Sequence, residues 1–153
     1  MKPIRNSAKA IIIRNGKLLC TKNQDHLGIF YLLPGGGQEP GENLIDALKR
    51  ECKEEISAAI SVGDIRFIRE YIGGNHEFAE YDADVHQVEY IFECKLAEGT
   101  ELGKGVVPDS MQIGLEWLEL SRLKEYRIYP GVLKEIIDKY GVVKSKIYLG
   151  DIN

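Results

Sequence analysis

No stretch of the 153-residue chain approaches the ~20 consecutive apolar residues that a membrane-crossing helix requires, so a helical membrane protein is excluded. The one short apolar run near the start, Ala10 to Ile13, is cut off at once by Arg14, Asn15, Gly16 and Lys17, which argues against a secretory leader. Cysteine is scarce: Cys20, Cys52 and Cys94 are odd in number and far apart, so neither a disulfide framework nor a paired-cysteine zinc site is indicated. A reducing cytoplasm is the expected compartment. There is no basic stripe either. The formal charge is −4 with lysines and arginines scattered, which argues against binding a long nucleic acid by its backbone. Internal repeats, low-complexity tracts and linkers are also missing, so residues 1–153 read as one domain. What remains, 44% hydrophobic and 29% charged residues, is the composition of a folded globular protein.

The chain is well punctuated. Ala8 to Ile13 and Lys17 to Thr21 are apolar runs joined by Asn15-Gly16, a dipeptide that tolerates the positive φ of a two-residue hairpin turn. Phe30 to Leu33 reads as a short strand ending at Pro34 and the Gly35-Gly36-Gly37 loop. Leu44 to about Ala58 is rich in helix formers, with Asn43 as N-cap and Asp46 three positions on. Strands are expected at Ile65 to Tyr71 and Val85 to Leu96, the latter with Val88, Tyr90, Phe92, Cys94 and Leu96 on a buried face and Gln87, Glu89, Glu93 and Lys95 on a polar one. An acidic loop, Gly73 to Asp84, separates them. A further strand is expected at Leu115 to Leu118, and a closing helix over Gly131 to Tyr140 with Gly141 as its C′ residue. Strands, helix, strands, helix is the order of an α/β or α+β layered fold.

Within the first helix, Leu44, Ile45, Leu48, Cys52 and Ile56 form an apolar stripe, and Glu51, Glu54 and Glu55 run along its edge. Glu51 and Glu55 continue the angular line of Leu44 and Leu48. Folding has no use for carboxylates there: like charges four apart repel, partial burial costs more, and the late turns of a helix are the wrong end for acids. A solvated acidic face is the plain alternative. Against it stands the preceding GGGQEPGE, whose glycines and Pro-Gly turn let backbone approach a phosphate or a cation closely. That loop lacks the Lys-Ser/Thr ending of a P-loop.

Residues 36–58, GGQEPGENLIDALKRECKEEISA, resemble the Nudix box: a glycine, five residues, a glutamate, seven residues, then R-E-U-x-E-E-x-G-U, where U is bulky and apolar. Gly36, Glu42, Arg50, Glu51, Glu54 and Glu55 fall at the required spacings. Cys52 stands for a bulky aliphatic, and Ser57 replaces the last glycine, which weakens the helix stop. The resemblance implies an α/β/α sandwich about a mixed sheet. It also implies a hydrolase of phosphoanhydride bonds in nucleoside-diphosphate-linked compounds. Its cofactor would be Mg²⁺ or Mn²⁺, held by Glu51, Glu54 and Glu55 with the Gly35 carbonyl.

In the same terms Glu54, Glu51 and Arg50 are the catalytic set, with Glu54 a candidate base and Arg50 orienting it across one helical turn. Asp109 and Glu116 lie in the region where some members of the family place the base. Glu42 serves the loop–helix junction or an outer metal. His86 is read as a core or sheet-edge histidine ahead of a substrate contact. The expected partner is a small nucleotide-type substrate, with no long nucleic acid and no membrane, and the chain is compatible with a homodimer. A non-catalytic nucleotide-sensing module is the rival reading, disfavoured by the intact carboxylates. Isoprenoid diphosphate isomerisation on the same fold lacks its additional cysteine and glutamate. Selectivity within the family resides in loops outside the box, so the substrate is left open.

Overall fold

The computed structural model describes residues 2–102 and 111–153. Strands β1 (Arg5–Arg14) and β2 (Lys17–Asp25) are joined by the expected turn, with φ of 52° at Asn15 and 72° at Gly16. Then follow β3 (Gly28–Leu32), β4 (Gly35–Gly37), helix α1 (Leu44–Ile56), β5 (Ile60–Ile72), a short α2 (Ala79–Asp82) and β6 (His86–Leu96). The chain closes with β7 (Gln112–Glu119), β8 (Ile128–Tyr129), a one-turn α3 (Leu133–Ile136), β9 (Ile137–Asp138), β10 (Gly141–Val142) and β11 (Tyr148–Asp151).

Among the described residues nine strands form one mixed, curled sheet in the order β11-β5-β6-β1-β2-β3-β8, with β4 paired to β1 and β7 to β2. Strand β1 joins its two wings. Arg5 to Ile12 pair in parallel with β6, Ser7 to Lys9 pair on the other side with the glycines of β4, and only Ile13 and Arg14 stay with β2.

The alternation of β1 fills both faces of the sheet. Ala8, Ala10 and Ile12 pack under α1 against Leu48, Cys52 and Ile56; Ile11 packs on the other face with Phe67, Ile91, Leu133 and Ile136. Short helical segments cover that second face, Leu120–Glu125 in 3₁₀ form and α3, giving the α/β/α sandwich.

Helix α1 starts where its sequence says it should, the Asn43 side chain accepting from the Asp46 N–H at 2.8 Å. It stops at Ser57, whose φ of 54° and ψ of 34° put a serine in the left-handed conformation that glycine adopts more easily. The chain path expected of a glycine is therefore kept.

Two expectations are corrected. The helix over Gly131 to Tyr140 is a single turn. Leu133, Ile136 and Ile137 have helical spacing and are all buried, but Ile137 is extended, and the Asp138 side chain accepts from the Tyr140 N–H at 2.8 Å, a local turn that competes with the helix. Gly141, with φ of 121°, begins β10. Glu89 is not on a solvated face: it is 5% exposed and paired with Arg69. Ile91 on the same face of β6 is fully buried, so that strand is covered on both sides.

Candidate active site

The glycine loop is clamped between β1 and α1. Ala10 N–H donates to the Pro34 carbonyl at 2.9 Å, and β4 runs antiparallel to Ser7–Lys9. Gly35 has φ of +133°, and a Cβ there would stand 2.1 Å from the Ala8 carbonyl oxygen, so only glycine fits. From the helix side, Glu55, 4% exposed, accepts the Gly35 N–H at 3.1 Å. A Cβ on Gly36 would lie 2.5 Å from the Glu51 carboxyl carbon. The loop backbone thus rests directly on two of the three helix carboxylates.

Arg50 organises the rest. Its guanidinium donates to Glu42 through Nη2 at 2.7 Å and Nε at 3.1 Å, to the Gly37 carbonyl at 3.0 Å and to Glu51 at 3.0 Å. The expected partner one turn on, Glu54, is reached only at 3.4 and 3.5 Å. Glu42 also accepts the Glu39 N–H at 2.8 Å, so it locks the loop to the helix as expected. The Arg50 hydrogen bond, then that from Glu39, holds the Glu42 carboxyl below the ordinary carboxylate range. Burial pushes Glu51 the other way, upward, against the pull of Arg50 and with the repulsion of Glu54 added.

Glu51, Glu54 and Glu55 are brought to one end of the loop, yet among the described residues no three acidic, histidine or cysteine side chains are already arranged to hold a metal ion. The expected cage is not preassembled, and the reason is electrostatic: each carboxylate turns toward the donor at hand, Glu51 and Glu54 toward Arg50 and Glu55 toward Gly35. The Gly35 carbonyl accepts from Lys9 Nζ at 3.3 Å.

Of the more distant candidates, Glu116 faces away from α1. Its neighbours Leu115 and Trp117 pack on the α1 side, while Glu116 accepts from Tyr31 and lies 3.7 Å from Lys22. His86 pairs with Glu70 at 2.7 Å and is a sheet-edge histidine, not part of the box cluster. Asp109 lies outside the described residues.

Sequence reasoning did not single out Lys9, Arg69 or Gln87. Lys9 donates to the box loop, and Arg69, 6% exposed, pairs with Glu89, which also accepts from Gln87 at 2.8 Å. Ile91, an apolar residue in the supposedly polar set of β6, was the available signal that this face is covered.

Comparison with known proteins places this geometry. The model of the NUDIX domain matches residues 3–140. The nucleoside triphosphatase NudI of Salmonella paratyphi B is 32% identical over 95 residues, which make up 55% of this chain and 63% of NudI. The matched segment is therefore under two thirds of that relative's length. Among solved structures, a NUDIX hydrolase from Nitrosomonas europaea aligns with a TM-score of 0.70 at 16% identity, covering 93% of each chain. A MutT NUDIX hydrolase from Burkholderia pseudomallei aligns at 0.62 and 23% identity, covering 78% of this chain and 86% of that one. Because the family match runs through both wings of the sheet and not the box alone, the chain belongs to the NUDIX domain family.

Proposed function

We propose that the chain is a metal-dependent hydrolase that cleaves a phosphoanhydride bond in a nucleoside diphosphate linked to another moiety, such as a nucleoside triphosphate, ADP-ribose or a nucleotide sugar. The observation that carries this reading is the contact of the glycine loop with the helix carboxylates, Gly35 N–H on Glu55 and Gly36 against Glu51. A backbone with no side chains in the way lets a diphosphate reach carboxylates that would otherwise repel it. NudI, by its name a nucleoside triphosphatase, supports the substrate class.

The donor set fits a hard divalent ion, Mg²⁺ or Mn²⁺: Glu51, Glu54, Glu55 and the Gly35 carbonyl offer only oxygen, and three carboxylates stand within two helical turns. Such an ion, when bound, supplies neutralisation of the phosphate oxygens and acidification of water. The chain's own residues do the rest. Arg50 fixes Glu51 and Glu54 relative to the loop through Glu42 and Gly37, so the carboxylates are oriented before substrate arrives. Glu54, 36% exposed against 16% for Glu51, has the best access to water of the pair and serves as the base that takes its proton. Lys9, against the Gly35 carbonyl, contributes positive charge toward the departing phosphate.

The test is a panel of nucleoside triphosphates, ADP-ribose, nucleotide sugars, dinucleoside polyphosphates and phosphomonoesters with Mg²⁺ or Mn²⁺, followed by product identification. Cleavage within a diphosphate bridge, abolished by chelation, is the expected result. Activity that survives exhaustive chelation, or faster turnover of phosphomonoesters than of every diphosphate, overturns the reading.

A further inference from the structure

A cavity of about 400 Å³ opens on the face of β5 and β6 turned away from α1, between β3 and the segment carrying α2. Its wall is ring-lined. Phe30 and Phe78 both stand edge-on to Tyr129, with centroids at 6.0 and 5.6 Å, and Tyr81 lies at the outer side. At the other end the lining is polar: Arg69, and Gln87, whose amide donates to the buried Glu89.

A second cavity of about 150 Å³ continues from the first. It shares Leu32, Arg69, Gln87 and Tyr129 with it and adds Lys9 and Glu89. Lys9 Nζ donates to the Gly35 carbonyl, so the passage from the aromatic cavity ends on the loop that touches Glu51 and Glu55.

We propose that the aromatic cavity is a nucleobase subsite, and that the substrate is a nucleoside di- or triphosphate. The base lies among Phe30, Phe78 and Tyr129 with its hydrogen-bonding edge at Gln87, and the phosphates run past Lys9 to Gly35. This rests on the hydrolase reading given above. A flat heteroaromatic ring suits both ends of the cavity: its faces pack on aromatic side chains whatever the base, and its edge meets an amide whose orientation Glu89 fixes. A hydrocarbon chain fits the rings but would strip water from Gln87 and Arg69 without replacing it.

Part of the wall lies outside residues 3–140. Asn153 lines the cavity and donates to Glu77 at 2.9 Å. Asp151 accepts from Asn75 and from the Ile72 N–H, and its carboxylate lies 2.6 Å from His76. The segment that carries Phe78 is thus pinned by β11 and the residues after it, so this subsite is a feature of the individual chain.

The experiment compares Phe78→Ala and Gln87→Leu with the parent protein. Two readouts are used: kcat/KM for nucleoside triphosphates against inorganic tripolyphosphate, which has the anhydride but no base, and metal-free calorimetric binding of nucleoside 5′-monophosphates. Both variants should lower kcat/KM for nucleotides relative to tripolyphosphate by about tenfold or more, and weaken monophosphate binding similarly. If the parent hydrolyses nucleotides and neither variant changes that ratio, the base binds elsewhere and the subsite is wrong. If the parent hydrolyses none of them, the hydrolase reading fails and monophosphate binding decides the subsite alone. Absent binding, or equal binding in parent and variants, overturns it. Circular dichroism checks folding, and Phe78→Leu with Gln87→Leu carries the comparison if Phe78→Ala is unfolded.

Discussion

Arg50 Nη2 lies 2.7 Å from Glu42, while its nearest approach to Glu54 is 3.4 Å, so the arginine at the centre of the box is tied more closely to the loop before the helix than to its own next turn. Arg50→Gln should lower both the melting temperature of the metal-free protein and the activity, since it releases the loop and leaves three carboxylates uncompensated. Glu42→Gln should lower turnover by about tenfold or more without touching any box carboxylate. Because the folded Glu42 carboxyl sits below its ordinary 4.5, its contribution to stability is full above that value and fades as pH falls through the lowered one. The gap in melting temperature between parent and Glu42→Gln should therefore narrow in acid; a gap that widens there refutes the pairing.

Glu51 has the opposite sign. Burial raises its carboxyl, so the folded state prefers it protonated, and ionising it costs stability increasingly as pH rises through the raised value. Metal-free Glu51→Gln should melt slightly above the parent at neutral pH, by a few tenths of a kcal/mol, and match it near about pH 4. Stabilisation by Mg²⁺ should shrink in the variant, and turnover should fall by ~10²-fold. Melting curves with and without metal, alongside rates, settle it; a variant less stable than the parent at neutral pH contradicts it.

Two adjacent glycines should separate fold from chemistry. At Gly35 an added Cβ meets the backbone of Ala8, and the φ of +133° is itself unfavourable, so Gly35→Ala should cost more than about 3 kcal/mol. At Gly36 the Cβ meets only the end of the Glu51 side chain, which can swing aside. Gly36→Ala should cost about 1 kcal/mol or less while still depressing turnover, because Glu51 is displaced. Denaturant melts and rates on the two variants check the contrast, which equal losses of stability would contradict.

Burial alone would raise the Asp151 carboxyl, but hydrogen bonds from Asn75, His76 and the Ile72 N–H outweigh it and hold the group at about 2. Its stabilising effect is complete above the ordinary 3.8 and disappears as pH falls toward 2. Asp151→Asn should therefore melt below the parent at pH 5, with the difference closing in stronger acid. Amide exchange should accelerate over residues 73–82 in the variant. Unchanged exchange there would mean that β11 does not hold this segment.

Local chemistry was legible in the sequence. Asn15-Gly16 specified a hairpin, Asn43 the start of α1, and the spacing of Glu51, Glu54 and Glu55 their shared position beside the glycines, because each signal acts within a few residues. Contacts set by strand order were not. Lys9 meets the loop because β1 pairs with β4, and Glu89 is buried because β5 and β6 turn both faces inward, which no window along the chain reports. Helical spacing also favoured Glu54 as the partner of Arg50, but the loop brings Glu42 closer. At the C-terminal end, Leu133, Ile136 and Ile137 satisfied a helix pattern that the Asp138 turn overrode.

The parallel pairing of β11 with β5 has a consequence for biosynthesis. Strands β1, β5 and β6 and the box helix are all made before residues 148–153 emerge, so the carboxylate centre can assemble on the nascent chain while the wall holding Phe78 still lacks its fastening. Closing that parallel pair spans a long loop and is slow relative to hairpin formation. During synthesis the aromatic rings beside Tyr129 are therefore exposed for an interval, a window in which a folding chaperone or a passing nucleotide reaches them first.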